Sequence, residues 1–173
     1  MFKKGLLTAL TILLLEHMAS STHAQLFATG TQEVSGAGLI DFSSTDGTRT
    51  VLNAAYGVYL MDYLQAGGEL ILNRSGSAKR YGVGGTVEYD FDLGWFVYPF
   101  VGSHLQLVSY DTNGKDGLAL VLGAEAGMMT FIAESLAISA SIVGDIASSD
   151  IYANDDKNES TDLQIRFGLR YFF

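Results

Sequence analysis

His104 is the residue around which acid–base chemistry could be built. Of the three histidines, His104 is the one that lies after position 23. Acyl transfer by a serine needs a histidine base within hydrogen-bond reach and a carboxylate behind it. The neighbouring Ser103 would point to the opposite face of a strand, and Leu105 and Gln106 follow, so a His-x-Ser arrangement is absent. We therefore predict no catalytic residues and expect that the protein is not an enzyme.

Two segments are rich in oxygen ligands for a metal ion. Positions 111–117 combine carboxylates with glycines, but Lys115 stands where a calcium loop needs a ligand and no closing Glu follows. Positions 154–159 could bind Ca²⁺ or Mg²⁺ weakly, or could simply form a solvated loop. The chain has no Cys, which excludes disulfides and thiolate metal sites. We predict no metal site and no cofactor.

The clearest secondary-structure pattern in the sequence lies at the end of the chain, in positions 161–173. Apolar and polar side chains alternate there, and a period of two indicates a β-strand. One face is apolar; the other carries Arg166 and Arg170. At about 3.3 Å per residue the segment can cross a bilayer, for which roughly 9 to 11 residues suffice. An uncharged face backed by a polar one is typical of a barrel wall between lipid and lumen.

The beginning of the chain has the layout of an export signal. Lys3 and Lys4 precede an apolar run at 6–15, and small residues follow, with cleavage expected after Ala24. The domain prediction is therefore a removed signal peptide, 1–24, and one barrel domain, 25–173. Without Lys3, Lys4 and Glu16, the ten basic and 19 acidic residues become eight and 18. So acidic a chain is not expected to bind nucleic acid by neutralising phosphates.

Eight segments of the predicted domain have the character of strands. They are 33–42, 50–60, 65–73, 80–91, 95–110, 118–131, 137–146 and 161–173. A pair of hydrophobic helices is the rival interpretation of 118–146, although Glu125, Glu134 and Asp145 interrupt that segment. The single proline, Pro99, is expected near a strand end or bulge because it cannot donate to the ladder. The fold class predicted is all-β, an eight-stranded antiparallel up-and-down transmembrane β-barrel.

The connections between these segments alternate between short turns and longer polar loops. Short turns near 62, 92 and 134 would form one rim, and loops at 43–48, 74–79, 111–117 and 150–161 the other. Outer-membrane barrels place short turns in the periplasm, so both termini are expected there. Aromatic residues that we expect to form a girdle at the short-turn rim are Tyr59, Tyr63, Tyr89, Phe91, Trp95, Phe96, Phe131, Tyr171 and Phe173. A sparser girdle at the other rim would comprise Phe42, Tyr81, Tyr110 and Tyr152.

The last residues also carry a resemblance to a known family. The spacing of Arg166, Gly168, Tyr171 and Phe173 resembles the C-terminal assembly signal of bacterial outer-membrane β-barrels. Together with fragments at 63–70 and 98–102, it makes the domain look like the small OmpA/OmpX-type barrels. The resemblance implies a monomer in the outer membrane of a Gram-negative bacterium. The implied partners are outer-membrane lipid, lipopolysaccharide and the barrel-assembly machinery.

Charged residues on the predicted inner faces could interact inside the barrel. An eight-stranded barrel is just wide enough for side chains to fill it, and unpaired buried charges are costly. We therefore hypothesise a polar network in the lumen. Its members are Glu69, Glu88, His104, Glu125, Arg166 and Arg170.

The function expected from this scaffold is structural or surface-interactive. Envelope integrity, adhesion or host contact would act through the loops, where such barrels vary and where a surface ligand would bind. A narrow gated channel for ions or small solutes is the alternative. A lipid A-modifying enzyme, as some eight-stranded barrels are, fits the residues around His104 less well.

Overall fold

The computed structural model describes residues 23–41, 49–75, 78–112, 115–154 and 157–173. Most of the predicted signal peptide, positions 1–22, lies outside these ranges. A 3-10 turn, His23–Phe27, precedes ten strands. They are β1 (Gln32–Asp41), β2 (Arg49–Met61), β3 (Leu64–Ser75), β4 (Ala78–Asp90), β5 (Tyr98–Thr112), β6 (Lys115–Ala133), β7 (Leu136–Ala147), β8 (Tyr152–Asn154), β9 (Lys157–Glu159) and β10 (Thr161–Phe172). No helix in the described ranges is long and apolar enough to span a membrane.

Eight of the strands close into one barrel. The order is β1-β10-β7-β6-β5-β4-β3-β2, every neighbour is antiparallel, and β8 and β9 form a separate hairpin. The predicted fold class is confirmed. The rival interpretation of 118–146 as helices is wrong, because β6 and β7 pair there from Val121 opposite Ala147 to Ala133 opposite Leu136.

Side chains alternate between the outside and the lumen along each strand. In β10, Leu163, Ile165 and Phe167 are each about 70% exposed on the outer face, while Arg170 and Phe172 are buried on the inner face. The outer face of the other barrel strands is likewise apolar. Such a surface would be costly in water but suits contact with lipid.

The two rims differ from the predicted pattern of loop lengths. We call the end where β1 begins and β10 ends the terminal rim, and the opposite end the loop rim. At the loop rim Ser75 pairs with Ala78 and Thr112 with Lys115, so two hairpins leave only two residues between strands. The loops predicted at 74–79 and 111–117 are therefore largely strand. Gly-Ser and Asn-Gly between these pairs are favoured in two-residue hairpins.

At the terminal rim, the connection from β4 to β5 is the long one, occupying 91–97. Pro99 lies second in β5, as expected of a proline near a strand end, and its carbonyl accepts from the Phe91 amide at 2.8 Å. Tyr63 turns the chain between β2 and β3 with a φ of 66°. The connection after β1 spans seven positions, as many as 91–97, so loop length distinguishes the rims only at the connection after β7.

The seam between the first and last strands is short. β1 pairs with β10 from Glu33 opposite Phe172 to Ala37 opposite Gly168, whereas it pairs with β2 as far as Asp41. In the described residues the backbone ladder of this seam thus covers only the half next to the terminal rim. Gln32 and Phe173 extend it at that rim with two reciprocal backbone hydrogen bonds of 2.9 Å.

Candidate functional site

The lumen is the site that the barrel strands build, and its middle is polar. A cavity of about 80 Å³ lies there, enough for a few water molecules at roughly 10–15 Å³ each. Buried polar side chains that face the lumen are Glu33, Asn53, Gln65, Glu69, Glu88, Asp90, His104, Gln106, Ser141, Asp145 and Arg170. Carboxylates outnumber cations among them, so the lumen favours positive charge.

Arg170 is the centre of the half of the lumen near the terminal rim. Its guanidinium donates to both carboxylate oxygens of Glu88 and lies 3.6 Å from Glu33. The guanidinium also stacks over the Phe100 ring, 4.2 Å from its centroid, and Gln65 donates to Glu33 at 3.0 Å. A bidentate pair with further hydrogen bonds is the geometry in which a buried charge is best compensated.

Arg166 faces the lumen from the same strand, four residues before Arg170, and its contacts are longer. Its nearest carboxylate, on Glu125, lies 3.8 Å away, and both side chains retain some exposure. Ser141 donates to Glu125 at 3.3 Å. The same residue type on one face of β10 thus makes a tight pair at position 170 and a loose one at position 166.

His104 lies in the lumen beside Asp145, with 2.9 Å between Nε2 and Oδ1. Gly123 makes room for this pair, because a Cβ at that position would collide with both side chains. Gln164 donates to the other oxygen of Asp145 at 3.4 Å. Ser103 points outward and is exposed, on the opposite face of β5 from His104.

The six residues of the hypothesised network all face the lumen, but they divide into separate contacts. Glu88 meets Arg170, and Glu125 meets Arg166. Glu69 instead accepts from Gln106 at 2.8 Å, and His104 pairs with Asp145.

Glu33, a second carboxylate beside Arg170, is absent from the predicted network. Glu33 shares its parity with Ser35 and Ala37 in β1. Extending the alternation back to the first residues of this strand would have placed it inward.

Phe27 closes the lumen at the terminal rim. It is fully buried, and its ring lies within 6.0 Å, centroid to centroid, of five aromatic rings. These rings belong to Tyr59, Tyr63, Tyr98, Phe131 and Phe172. We call Phe27 and these five residues the terminal plug. Because Phe27 follows the predicted cleavage site, the plug would remain in the processed chain.

The terminal plug corrects the predicted aromatic girdle. Tyr59 and Phe131 are buried in the lumen rather than placed at the membrane surface, since each shares the parity of inward polar residues on its strand. The Tyr59 hydroxyl donates to Asp90 at 2.7 Å. The other members are exposed, apart from the half-buried Tyr63. They are Tyr89, Phe91, Trp95, Phe96, Tyr171 and Phe173.

Ile151 and Tyr152 close the lumen at the loop rim. Both come from the connection between β7 and β10 and are buried against inward residues of β5, β6 and β7, namely Val108, Ala119, Val121 and Ala147. The guanidinium of Arg80 lies 4.8 Å from the Tyr152 ring centroid. We call Ile151 and Tyr152 the loop plug. Burial, and next the Asp145 carboxylate, raises the pKa of Tyr152.

The loop plug also corrects the girdle predicted for this rim. Tyr152 and the half-buried Tyr110 pack inside the mouth, whereas Tyr81 is exposed on the outer face. Phe42 lies outside the described residues. Within the described ranges, no group of three His, Asp or Glu side chains is arranged to hold a metal ion.

Solved structures of known proteins share this architecture. Neisserial surface protein A superposes with a TM-score of 0.57 at 20% identity, covering 83% of this chain and 96% of that one. The N-terminal barrel domain of Pseudomonas aeruginosa OprF gives 0.59 at 13% identity, with 84% and 98% covered.

A third similar structure is the outer-membrane protein OprG of the same bacterium, with a TM-score of 0.51 at 11% identity and coverages of 84% and 97%. No protein-family model and no curated protein matches the sequence significantly. The likeness is thus one of architecture, in strand number, pairing and closure. The chain has the fold of the small eight-stranded outer-membrane β-barrels.

Proposed function

We propose that this protein is an integral outer-membrane barrel of a Gram-negative bacterium with a structural or surface-interaction role. The observation that carries the proposal is the closure of the lumen at both ends, by Phe27 at one and by Ile151 and Tyr152 at the other. A lumen closed in this way offers solutes no open path. The role then falls to the wall, which contacts lipid, and to the loop rim.

The proposed orientation places the terminal rim in the periplasm and the loop rim outside the cell. The aromatic residues exposed at the terminal rim suit a membrane interface. The barrel-assembly machinery would recognise the end of β10 there. Tyr171 and Phe173, two residues of the assembly signal, present half-exposed rings on the outer face, stacked 5.9 Å apart.

The first test is the gel mobility of protein taken from the outer-membrane fraction. A closed barrel resists detergent until it is boiled, so unheated and boiled samples should run at different positions. Protein found in the soluble periplasm without such a shift would contradict the proposal. Shortening 153–160, which keeps Ile151, Tyr152 and β10, then tests the surface role. An adhesin should lose binding to its ligand, whereas a purely structural barrel should instead show altered envelope integrity when the protein is deleted.

A gated channel is the second candidate, and the polar cavity between the plugs favours it. The buried carboxylates outnumber the cations, so such a channel would select cations. Planar-bilayer recording distinguishes the two functions. The structural proposal predicts no conductance steps from the wild-type protein, and regular cation-selective steps would favour the channel.

The proposal includes no lipid A chemistry. His104 faces the lumen while Ser103 faces outward, and an acyl transfer would need the two side chains within hydrogen-bond reach. Mass spectrometry of lipid A from cells with wild-type protein and with His104→Ala should give the same spectrum. A lipid A species lost in the variant would overturn this part of the proposal.

A further inference from the structure

A row of polar side chains crosses the outer face of the barrel at the loop rim. Register places its members side by side on successive strands from β2 to β6. They are Thr50, Arg74, Lys79, Asp111 and Asp116, which we call the rim row. One step further from the rim, the outward pair on β3 and β4 is Leu72 and Tyr81, each about half exposed. The rim row therefore borders the apolar surface that faces lipid.

Arg74 and Lys79 stand directly opposite each other in this row. Side chains opposite each other on neighbouring strands have Cβ atoms roughly 5 Å apart, and like charges at that separation repel. Neither side chain takes part in the ion pairs of the described residues. Asp111 stands opposite Lys79 on the next strand and offsets part of this repulsion. Thr50 stands opposite Arg74 on its other side, so an anion bound beside Arg74 and Lys79 would offset the rest.

Beside this pair the outer surface is concave. The hollow has a volume of about 390 Å³. Its lining residues are Lys79, Tyr81, Ser109, Tyr110, Asp111, Asp116, Gly117 and Leu118. Its lining combines a cation, hydroxyl groups, two carboxylates and an apolar side chain. Such a mixture suits sugar hydroxyls and an apolar part of a ligand, and the edge of the hollow at Lys79, next to Arg74, suits a phosphate.

The distribution of basic residues along the chain points in the same direction. Eight Lys and Arg residues follow position 24. Arg166 and Arg170 line the lumen, and the other six lie in strands near the loop rim: Arg49, Arg74, Lys79, Arg80, Lys115 and Lys157. The turns of the terminal rim instead contain Asp62, Asp92 and Glu134. Arg80 faces Tyr152 inside the mouth, whereas Arg74 and Lys79 have outward parity and stand opposite each other at the rim that the proposed orientation places in the outer leaflet.

We propose that the rim row and its hollow bind a phosphorylated glycolipid of the outer leaflet, of the lipid A class. The phosphate lies between Arg74 and Lys79. Tyr81, Ser109 and the carboxylates Asp111 and Asp116 hydrogen-bond the sugar hydroxyls, while acyl chains follow the apolar surface below. This inference rests on the proposed orientation and membrane, and it specifies which part of the wall recognises lipid.

The test measures binding of lipid A and of phosphatidylglycerol to the processed, delipidated protein in detergent, by native mass spectrometry. The double variant Arg74→Gln, Lys79→Gln should bind lipid A about tenfold more weakly or worse, because each surface cation contributes about 1 kcal/mol towards an anionic lipid. Lys115→Gln, Lys157→Gln is the matched control. It removes the same charge from residues at the same rim that neither belong to the rim row nor line the hollow, so it should weaken binding less than the first double variant does.

Equal weakening in both double variants would overturn the proposal, because it would show a response to total rim charge alone. Equal binding of lipid A and phosphatidylglycerol by the wild type would also overturn it, since only lipid A carries sugar. The shift on boiling must persist in every variant, which separates lost binding from lost folding. A barrel absent from the outer-membrane fraction would defeat the proposed function, yet this measurement in detergent would still test the site.

Discussion

The two halves of the lumen use similar residues but hold them differently. Near the terminal rim, strand residues surround Phe27 with aromatic rings and Arg170 with two carboxylates. Near the loop rim, the plug is part of a connection, and Arg166 lies 3.8 Å from its nearest carboxylate. Charge and aromatic content are thus shared by both halves. The contrast is between Phe27, which rings from β2, β5, β6 and β10 surround, and the loop plug, which packs against inward residues of β5, β6 and β7.

This contrast suggests which end of the barrel opens first. Local unfolding begins where buried contacts are few and where the segment belongs to a loop. Removing Ile151 and Tyr152 from the mouth disturbs no barrel strand, because β8 pairs only with β9. Removing Phe27 from the opposite mouth exposes its own ring and the five aromatic rings around it. We therefore expect the loop half to open at lower free energy than the terminal half.

The largest expected effect comes from replacing the two lumen arginines separately. Arg170→Met leaves Glu33 and Glu88 buried without a counter-charge, which should lower the free energy of unfolding by about 3–5 kcal/mol. Arg166→Met is the matched control on the same face of β10. Its pair with Glu125 is longer, at 3.8 Å, and retains 17–18% exposure, so the loss should be smaller, about 1–2 kcal/mol. Equilibrium unfolding in urea from lipid vesicles measures both, and equal losses would contradict the distinction between the halves.

A somewhat smaller effect is expected from Phe27→Ala. Truncating a fully buried phenylalanine costs about 3–5 kcal/mol, but here detachment of the short segment before β1 limits the loss to about 3 kcal/mol. The variant should also admit small ions from the terminal rim, which bilayer recording detects. Leu26→Ala is the control, since Leu26 is only partly buried against the same cluster. A Phe27→Ala protein as stable as the control would show that the terminal plug is not a structural element.

The parity of side chains was the most reliable signal in the sequence. It gave all eight barrel strands and the inward positions of Glu88, His104 and Arg170, because a strand between lipid and a polar lumen fixes the face of every residue. For Tyr59 and Phe131 residue type predicts a place in the girdle, whereas parity predicts an inward position. Their burial shows that parity determines the face even for an aromatic residue.

The features that the sequence did not reveal depend on segments without periodicity. Phe27 lies in a 3-10 turn and Tyr152 in a short hairpin, so their burial depends on where the chain folds back over the barrel. Partner choice in the lumen has a different origin. Glu69 and His104 were expected in one network, but their partners are set by strand stagger. Stagger also leaves the seam between β1 and β10 short.

The smallest expected effect concerns the loop plug and depends on pH. The pKa of Tyr152 is raised by burial and by Asp145, so the buried phenol keeps its proton where an unfolded tyrosine, with a pKa of about 10, loses it. The contribution of Tyr152 to the free energy of unfolding is fully present below the pKa of the unfolded tyrosine. It is lost as the pH rises towards the raised pKa of the folded state. The mouth should therefore open in strong alkali, which hydrogen exchange at 148–160 would report. In Tyr152→Phe the phenyl ring still packs but cannot ionise, and opening at 148–160 should lose its alkaline dependence. If the wild type and Tyr152→Phe opened alike at every pH, the hydroxyl would play no part in closing the loop half.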